Sequence, residues 1–220
     1  MFSDITLQST LRLIEVRELL DFIKSNTPKP PNVEPTNILI SKGLFFVHLY
    51  GAYEYTVKTT VSRTIDLINK KNPQLNNCKP LFLSIILNSE LDSIASVGDK
   101  KWEKRHTLFT KFNTNNIVQI QNDIFPTNGR NLKYRQLQSI WNSFSISDPI
   151  LPRQSLGGRI TELIENRNAI AHGNEPAATI GSLNTISELY IRHSEISEVC
   201  SYIIKTFEEY VKNDRFLKGN

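Results

Sequence analysis

The sequence predicts an all-α fold, a bundle of long helices with room for a short β element near residues 117–124, and three observations carry that expectation. Two segments, residues 36–71 and 183–213, repeat apolar side chains at three- and four-residue intervals over many turns. Prolines punctuate the chain between the periodic segments, in a cluster from Pro28 to Pro35 and again at Pro73, Pro149 and Pro152, where each ring removes a backbone donor and disfavours helix just before it. No unit of about 20 to 50 residues repeats, which sets solenoids and arrays aside. At 220 residues the chain holds one full hydrophobic core and is short for two, so one domain over residues 1–220 is expected.

A first helix is expected over about residues 3–25, with Leu7, Leu11, Ile14, Leu19, Phe22 and Ile23 as its apolar stripe. The run Pro28-Lys-Pro-Pro-Asn-Val-Glu-Pro35 ends it and acts as a connector. The second helix, over residues 36–71, is the longest periodic segment, marked by Leu39, Phe46, Tyr50, Tyr53, Val57, Val61, Ile65 and Ile68. It would span about 50 Å at 1.5 Å per residue, with Gly43 and Gly51 as points of close packing or kinking. Residues 80–125 have no decisive period: the apolar run 81–87 fits helix or strand, and 117–120 fits a brief strand. A helix over about 131–144 follows, with Leu132, Arg135, Leu137, Ile140 and Trp141, and stops at Asp148-Pro149. Another begins after Pro152. The last helix, about 183–213, carries Ile186, Leu189, His193, Ile196, Cys200, Ile203, Phe207 and Tyr210 on one face.

Composition narrows the function classes. Cys78 and Cys200 lie far apart and form no C-x-x-C pair, so neither a disulfide framework nor a zinc site is suggested, and a reducing cytoplasm fits best. Asp4, Arg12, Glu15, Arg17 and Glu18 interrupt the first twenty residues, which excludes a signal-peptide core there, and no run of about 18 apolar residues points to a membrane span. The formal charge of +4 is compatible with a polyanionic partner without requiring one. The excess concentrates in residues 99–135, where eight basic residues face three acidic ones; this is either a solvated face or a phosphate-tracking surface. His48, His106 and His193 share no metal-ligand spacing with carboxylates or cysteines, and Tyr50, Tyr53 and Tyr55 read as core. No helix-turn-helix or zinc pattern supports a DNA-binding regulator.

The segment that carries chemistry is Leu156-Gly-Gly-Arg-Ile-Thr-Glu-Leu-Ile-Glu-Asn-Arg-Asn-Ala-Ile-Ala-His-Gly173. Leu156, Ile160, Leu163, Ile164, Ile170 and Ala171 form its buried side, Gly173 is placed to end the helix in the left-handed conformation, and Pro176 prevents continuation. His172 therefore falls in the last turn, where the carbonyl end of a helix favours an imidazolium. Asn168 and His172, four apart, share a face, while Arg167 lies about 140° around the axis from His172 and reaches with a long stem. A guanidinium offers a planar fork of donors to a phosphate, and a histidine moves protons at physiological pH. The structural alternatives are a salt bridge from Arg167 to Glu162, Glu165 or a carboxylate on another helix, a helix-end charge role for His172, and a satisfied core position for Glu54.

Arg-x4-His alone is weak, with about 0.2 occurrences expected by chance at this composition. Its setting makes it informative: Arg-Asn-Ala-Ile-Ala-His-Gly, a polar residue directly after the arginine, at the end of an amphipathic helix and ahead of a long final helix, resembles the signature of the HEPN superfamily. The segment from Gly43 to Glu54, with its central Tyr50 and Glu54, resembles the long early helix of a prokaryotic HEPN branch, and residues 125–144 resemble the element before its motif helix. Where members often have asparagine after the tyrosine, this chain has Gly51. The resemblance covers most of residues 36–212 and leaves out the first 35 residues and 75–120.

The resemblance implies a bundle of long antiparallel helices with its core over about 36–213. It also implies a metal-independent endoribonuclease of a toxin-antitoxin or anti-phage defence system, needing no cofactor. By position, His172 is the general acid or base around 2′-hydroxyl attack, Arg167 holds and stabilises the scissile phosphate, and Asn168 orients substrate or histidine. Glu54, Arg159 and Asn174 are the substrate-binding candidates. The implied partners are RNA, a second copy of the chain meeting through the motif helices so that two Arg-His pairs face one cleft, and an antitoxin or defence-system protein. The alternative is a non-catalytic HEPN module that binds nucleotide or nucleic acid, or acts through protein contacts.

Overall fold

Periodicity and punctuation translate into nine α-helices among the described residues of the structure, a computed structural model that describes residues 1–96, 98–112, 115–121, 124–127 and 131–219. In chain order they are α1 (Ser3–Asn26), α2 (Thr36–Lys70), α3 (Leu83–Ile86), α4 (Asn88–Ser96), α5 (Lys101–Phe112), α6 (Tyr134–Ser143), α7 (Leu156–Ala171), α8 (Ala177–Ser182) and α9 (Ile186–Lys212). The proline connector separates α1 from α2 as its chemistry requires, and Pro73 follows shortly after the end of α2. The ambiguous stretch 81–112 is helical throughout most of its length. The β element near 117–124 reduces to one antiparallel bridge between Gln74 and Ile117, because extended Gln74 is followed at once by a 3-10 turn, Leu75–Asn77. Residues 122 and 123 of that expectation lie outside the described residues, as do Asp123 and Arg130 of the basic segment and residues 128–130 of the element before the motif helix.

The chain forms two compact units. The first comprises Met1–Thr60, Asn131–Arg135 and Leu151–Lys205. Its frame is α1 against the first two thirds of α2, and α7 against α9. α1 runs antiparallel to α2: Ser9 Oγ and Thr56 Oγ1 share a hydrogen bond of 2.6 Å, the Arg12 guanidinium lies 3.5 Å over the Tyr55 ring, and Glu15 meets His48. α7 runs antiparallel to α9, with Arg153 joined to Glu198 and Arg159 to Glu195. The apolar stripe expected on α2 is buried in this unit at Phe46, Tyr50, Tyr53 and Val57, each fully buried aliphatic or aromatic group contributing about 1.5–3 kcal/mol.

Of the stripe expected on α1 only Ile23 is buried. Ile5, Ser9, Leu13, Val16, Leu20 and Ile23 face the core, while Leu7, Leu11, Ile14 and Phe22 are exposed. The helix carries apolar residues on two opposite faces, so its period admits two stripes. Contacts that periodicity does not encode, such as the hydrogen bond from His193 Nε2 to the Leu13 carbonyl, select one.

The second unit comprises Val61–Arg130, Gln136–Ile150 and Thr206–Asn220. Its centre is aromatic: Phe207 meets both Trp141 and Phe144 edge-on at 5.3 Å, and the Tyr210 hydroxyl donates to the Phe144 carbonyl at 2.6 Å. Phe82 and Phe216 extend the cluster, and Arg215 pairs with Asp148 at 2.7 Å.

Candidate active site

The site is built at the C-terminal end of α7, in the first unit. Leu156, Ile160, Leu163 and Ile164 are buried along one face, which fixes the helix against its neighbours. Gly173 has φ +70°, and its N–H donates to the Ile170 carbonyl while that of Asn174 donates to Ala169. This pair of bonds is the Schellman closure, which only a residue comfortable at positive φ makes cheaply. Pro176 then starts α8. α8 is held to α2 backbone against backbone: a Cβ on Gly43 would stand 2.0 Å from the Ala177 carbonyl oxygen, and one on Gly181 would stand 1.9 Å from that of Leu39. Gly43 is thus the close-packing point expected on α2, whereas Gly51 faces open space.

Ile170 and Ala171 depart from expectation. Ile170 is half-buried and Ala171 is exposed, as are His172, Gly173 and Asn174. The terminal turn rises past the elements that cover the first three turns, so its apolar groups stay open.

Arg167 sits in a cradle of neutral groups. Its Nη1 donates to Asn168 Oδ1 at 2.8 Å, and its guanidinium lies 4.7 Å over the Tyr50 ring. The same Asn168 oxygen accepts from Asn131 Nδ2 at 3.2 Å. The Tyr50 hydroxyl stands 3.3 Å from Glu54 Oε1 and 3.4 Å from Asn131 Oδ1, and donates its one proton to either. Burial first, then the Glu54 carboxylate, push the Tyr50 phenol up to about 12, so it stays a neutral donor. Asn131 is held in place by its neighbour: Leu132 is buried, and its carbonyl accepts from the Tyr53 hydroxyl at 2.8 Å.

The carboxylates that could neutralise Arg167 are engaged elsewhere. Glu165 pairs with Lys133 at 3.3 Å, Glu54 with Lys58 at 3.0 Å, and Glu162 with Arg159 and Arg192. Among the described residues Arg167 makes no ion pair, so the expected structural alternative is absent there.

The remaining predicted residues fall as follows. Glu54 joins the cluster through Tyr50. His172 is exposed at the helix end, its imidazole without a hydrogen bond among the described residues, about 7.5 Å along the axis from Arg167 by helical rise. Asn174 is exposed just beyond it, its backbone closing the helix. Arg159 is not brought to this cluster: its Nη1 meets Glu162 at 3.2 Å and its Nε meets Glu195 at 3.4 Å. Among the described residues no three His, Cys, Asp or Glu side chains gather as a metal-ligand group. No helix there is long and apolar enough to cross a membrane.

Sequence reasoning missed Asn131 and took Tyr50 as core without chemistry. Tyr50 and Glu54, four apart, carry a signal of a shared polar edge. Asn131, in the short irregular segment ahead of α6, carries none.

An all-α chain with a buried amphipathic helix that ends in Arg-Asn-x3-His-Gly, ahead of a long final helix, has the architecture of a HEPN domain. A model of the RiboL-PSP-HEPN family matches residues 11–212, and the chain belongs to that family. The match takes in most of α1 and residues 75–120, the stretches that carried no resemblance by eye. No curated protein and no solved structure matches the chain.

Proposed function

We propose that the protein is an endoribonuclease that cleaves RNA by 2′-hydroxyl attack, acting as a twofold dimer within a toxin-antitoxin or anti-phage defence system. HEPN membership supports a nuclease or other RNA-related function. The observation that carries the finer reading is the unneutralised Arg167 fork, cradled by Tyr50 and Asn168, on the helix whose end presents an exposed His172.

The chemistry follows from those groups. A neutral His172 imidazole takes the proton of the 2′-hydroxyl as its oxygen attacks phosphorus. Arg167 meets the charge that accumulates on the non-bridging oxygens. The 5′-oxygen leaves with a proton from an imidazolium, giving a 2′,3′-cyclic phosphate and a 5′-hydroxyl. Two histidines serve base and acid at once when the motif helices of two copies face one phosphodiester. Half-buried Ile170 and exposed Ala171 supply apolar surface for that contact.

The test is incubation of single-stranded RNA with the protein in chelator, beside Arg167→Ala and His172→Ala. Cleavage by the parent, cyclic-phosphate ends and loss of both in the variants are expected. Equal cleavage by all three removes the site from consideration, and dependence of the parent on a divalent ion removes the mechanism.

A further inference from the structure

The second unit carries a surface that the site at the end of α7 does not explain. α5 places Trp102, Arg105, His106 and Phe109 at i, i+3, i+4 and i+7, one face of a helix. Trp102 is 68% exposed, Phe109 is 66% exposed, and His106 is exposed beside them. The rings follow one another along the axis: Trp102 and His106 centroids lie 6.4 Å apart, Phe109 and Phe112 centroids 5.8 Å apart. The Arg105 guanidinium lies 4.8 Å over the Trp102 ring. A different side of α5 holds it to α4, through buried Leu108, the Lys104–Ser93 hydrogen bond and the Lys111–Glu90 pair at 2.5 Å. The aromatic face is therefore not what fastens the helix.

Its composition points to one kind of occupant. This face offers planar rings, a guanidinium and an imidazole. The helix's one carboxylate, Glu103, lies about 100° around the axis from Trp102 and about 60° from His106. Over residues 99–112 five basic residues stand against two acidic ones, and of the five Lys104 and Lys111 are on the side that meets α4. Unpaired bases stack on aromatic rings whatever their identity, and nearby cations offset the phosphates between them.

We propose that this face of α5 is a stacking platform for single-stranded RNA, binding two or three unpaired bases without sequence preference. The choice of RNA rests on the endoribonuclease reading; the stacking chemistry does not need the α7 site.

The chain carries its own reporter, since of its two tryptophans Trp141 is 1% exposed and Trp102 is open. The full-length protein is titrated with an uncleavable 2′-O-methyl oligonucleotide of about ten nucleotides. Quenching of Trp102 emission is expected, with an affinity that falls steeply as salt rises. Phe109→Ala, which leaves the reporter in place, is expected to bind about tenfold more weakly. Trp102→Ala is expected to lose the signal and to weaken binding similarly by anisotropy of a labelled oligonucleotide. Unchanged affinity in both variants overturns the proposal. So does a change in self-association with no change in RNA affinity, which assigns the face to a protein contact. Arg167→Ala separates the two claims: quenching that survives in a protein unable to cleave leaves the platform standing, whatever becomes of the catalytic reading.

Discussion

Two arginines on α7, eight residues apart, occupy opposite electrostatic situations. Arg159 closes a four-membered ring of charge with Glu162, Arg192 and Glu195, in which Arg192 Nε meets Glu162 at 2.9 Å and its Nη1 meets Glu195 at 3.2 Å. Two positive and two negative groups leave no charge over, and they fasten α7 to α9. Arg167 has only an amide oxygen and an aromatic face, both neutral. A balanced guanidinium holds the fold together, while an unbalanced one, kept rigid by neutral neighbours, holds a place for an anion. On the proposed reading, the first half of α7 is structural and its C-terminal end chemical.

Breaking the balanced ring should show the largest effect on folding. Arg192 is nearly buried, and Arg192→Met strands two carboxylates beside one arginine. Urea titration should then read a loss of about 3 kcal/mol, with the cleavage rate per folded molecule unchanged. Next comes the backbone contact that sets the chain leaving the site. Gly181→Ala drives a methyl into the Leu39 carbonyl, and a loss of about 2 kcal/mol is expected in the same titration. The cradle itself is tested more gently by Tyr50→Phe, which keeps the ring under Arg167 and removes the hydroxyl that reaches Glu54 and Asn131. Single-turnover cleavage should fall about fivefold, at a cost near one hydrogen bond, without a shift in midpoint.

The smallest effect concerns pH and again separates the halves. His193, on α9 beside Arg192, is half-buried, and burial holds its pKa below the ordinary 6.5. The unfolded chain then binds the proton more readily, so stability rises with pH through this window and is lost as the pH falls below about 6.5. His193→Gln should flatten that slope in midpoints measured across the window.

The parts legible in the sequence are those set by local rules. Buried Leu156, Ile160, Leu163 and Ile164 followed from spacing, and the Schellman closure at Gly173 followed from a glycine and a nearby proline. The reciprocal cap that Thr185 and Glu188 form at the start of α9 went unread, and the expected start at about 183 falls three residues before the observed Ile186. The parts that stayed hidden depend on distant residues. Of the two partners that occupy Arg159, Glu195 lies on α9, more than thirty positions away, and nothing in the motif distinguishes Arg159 from Arg167. Asn131 meets Asn168 from a short irregular segment that the Tyr53 hydroxyl and buried Leu132 hold in place. The face of α1 was undecidable from its own period, since Leu7, Leu11 and Ile14 satisfy it as well as Leu13, Val16 and Leu20 do.

The contrast along α7 is tested most directly by preparing Arg159→Ala and Arg167→Ala together and measuring, for each, the urea midpoint and the single-turnover cleavage of single-stranded RNA. Arg159→Ala should lower the midpoint and retain the parent's rate, and Arg167→Ala should keep the midpoint and lose about 100- to 1,000-fold in rate. Loss of cleavage in both variants alike, or in Arg159→Ala alone, would contradict the assignment of the last turn as the catalytic end.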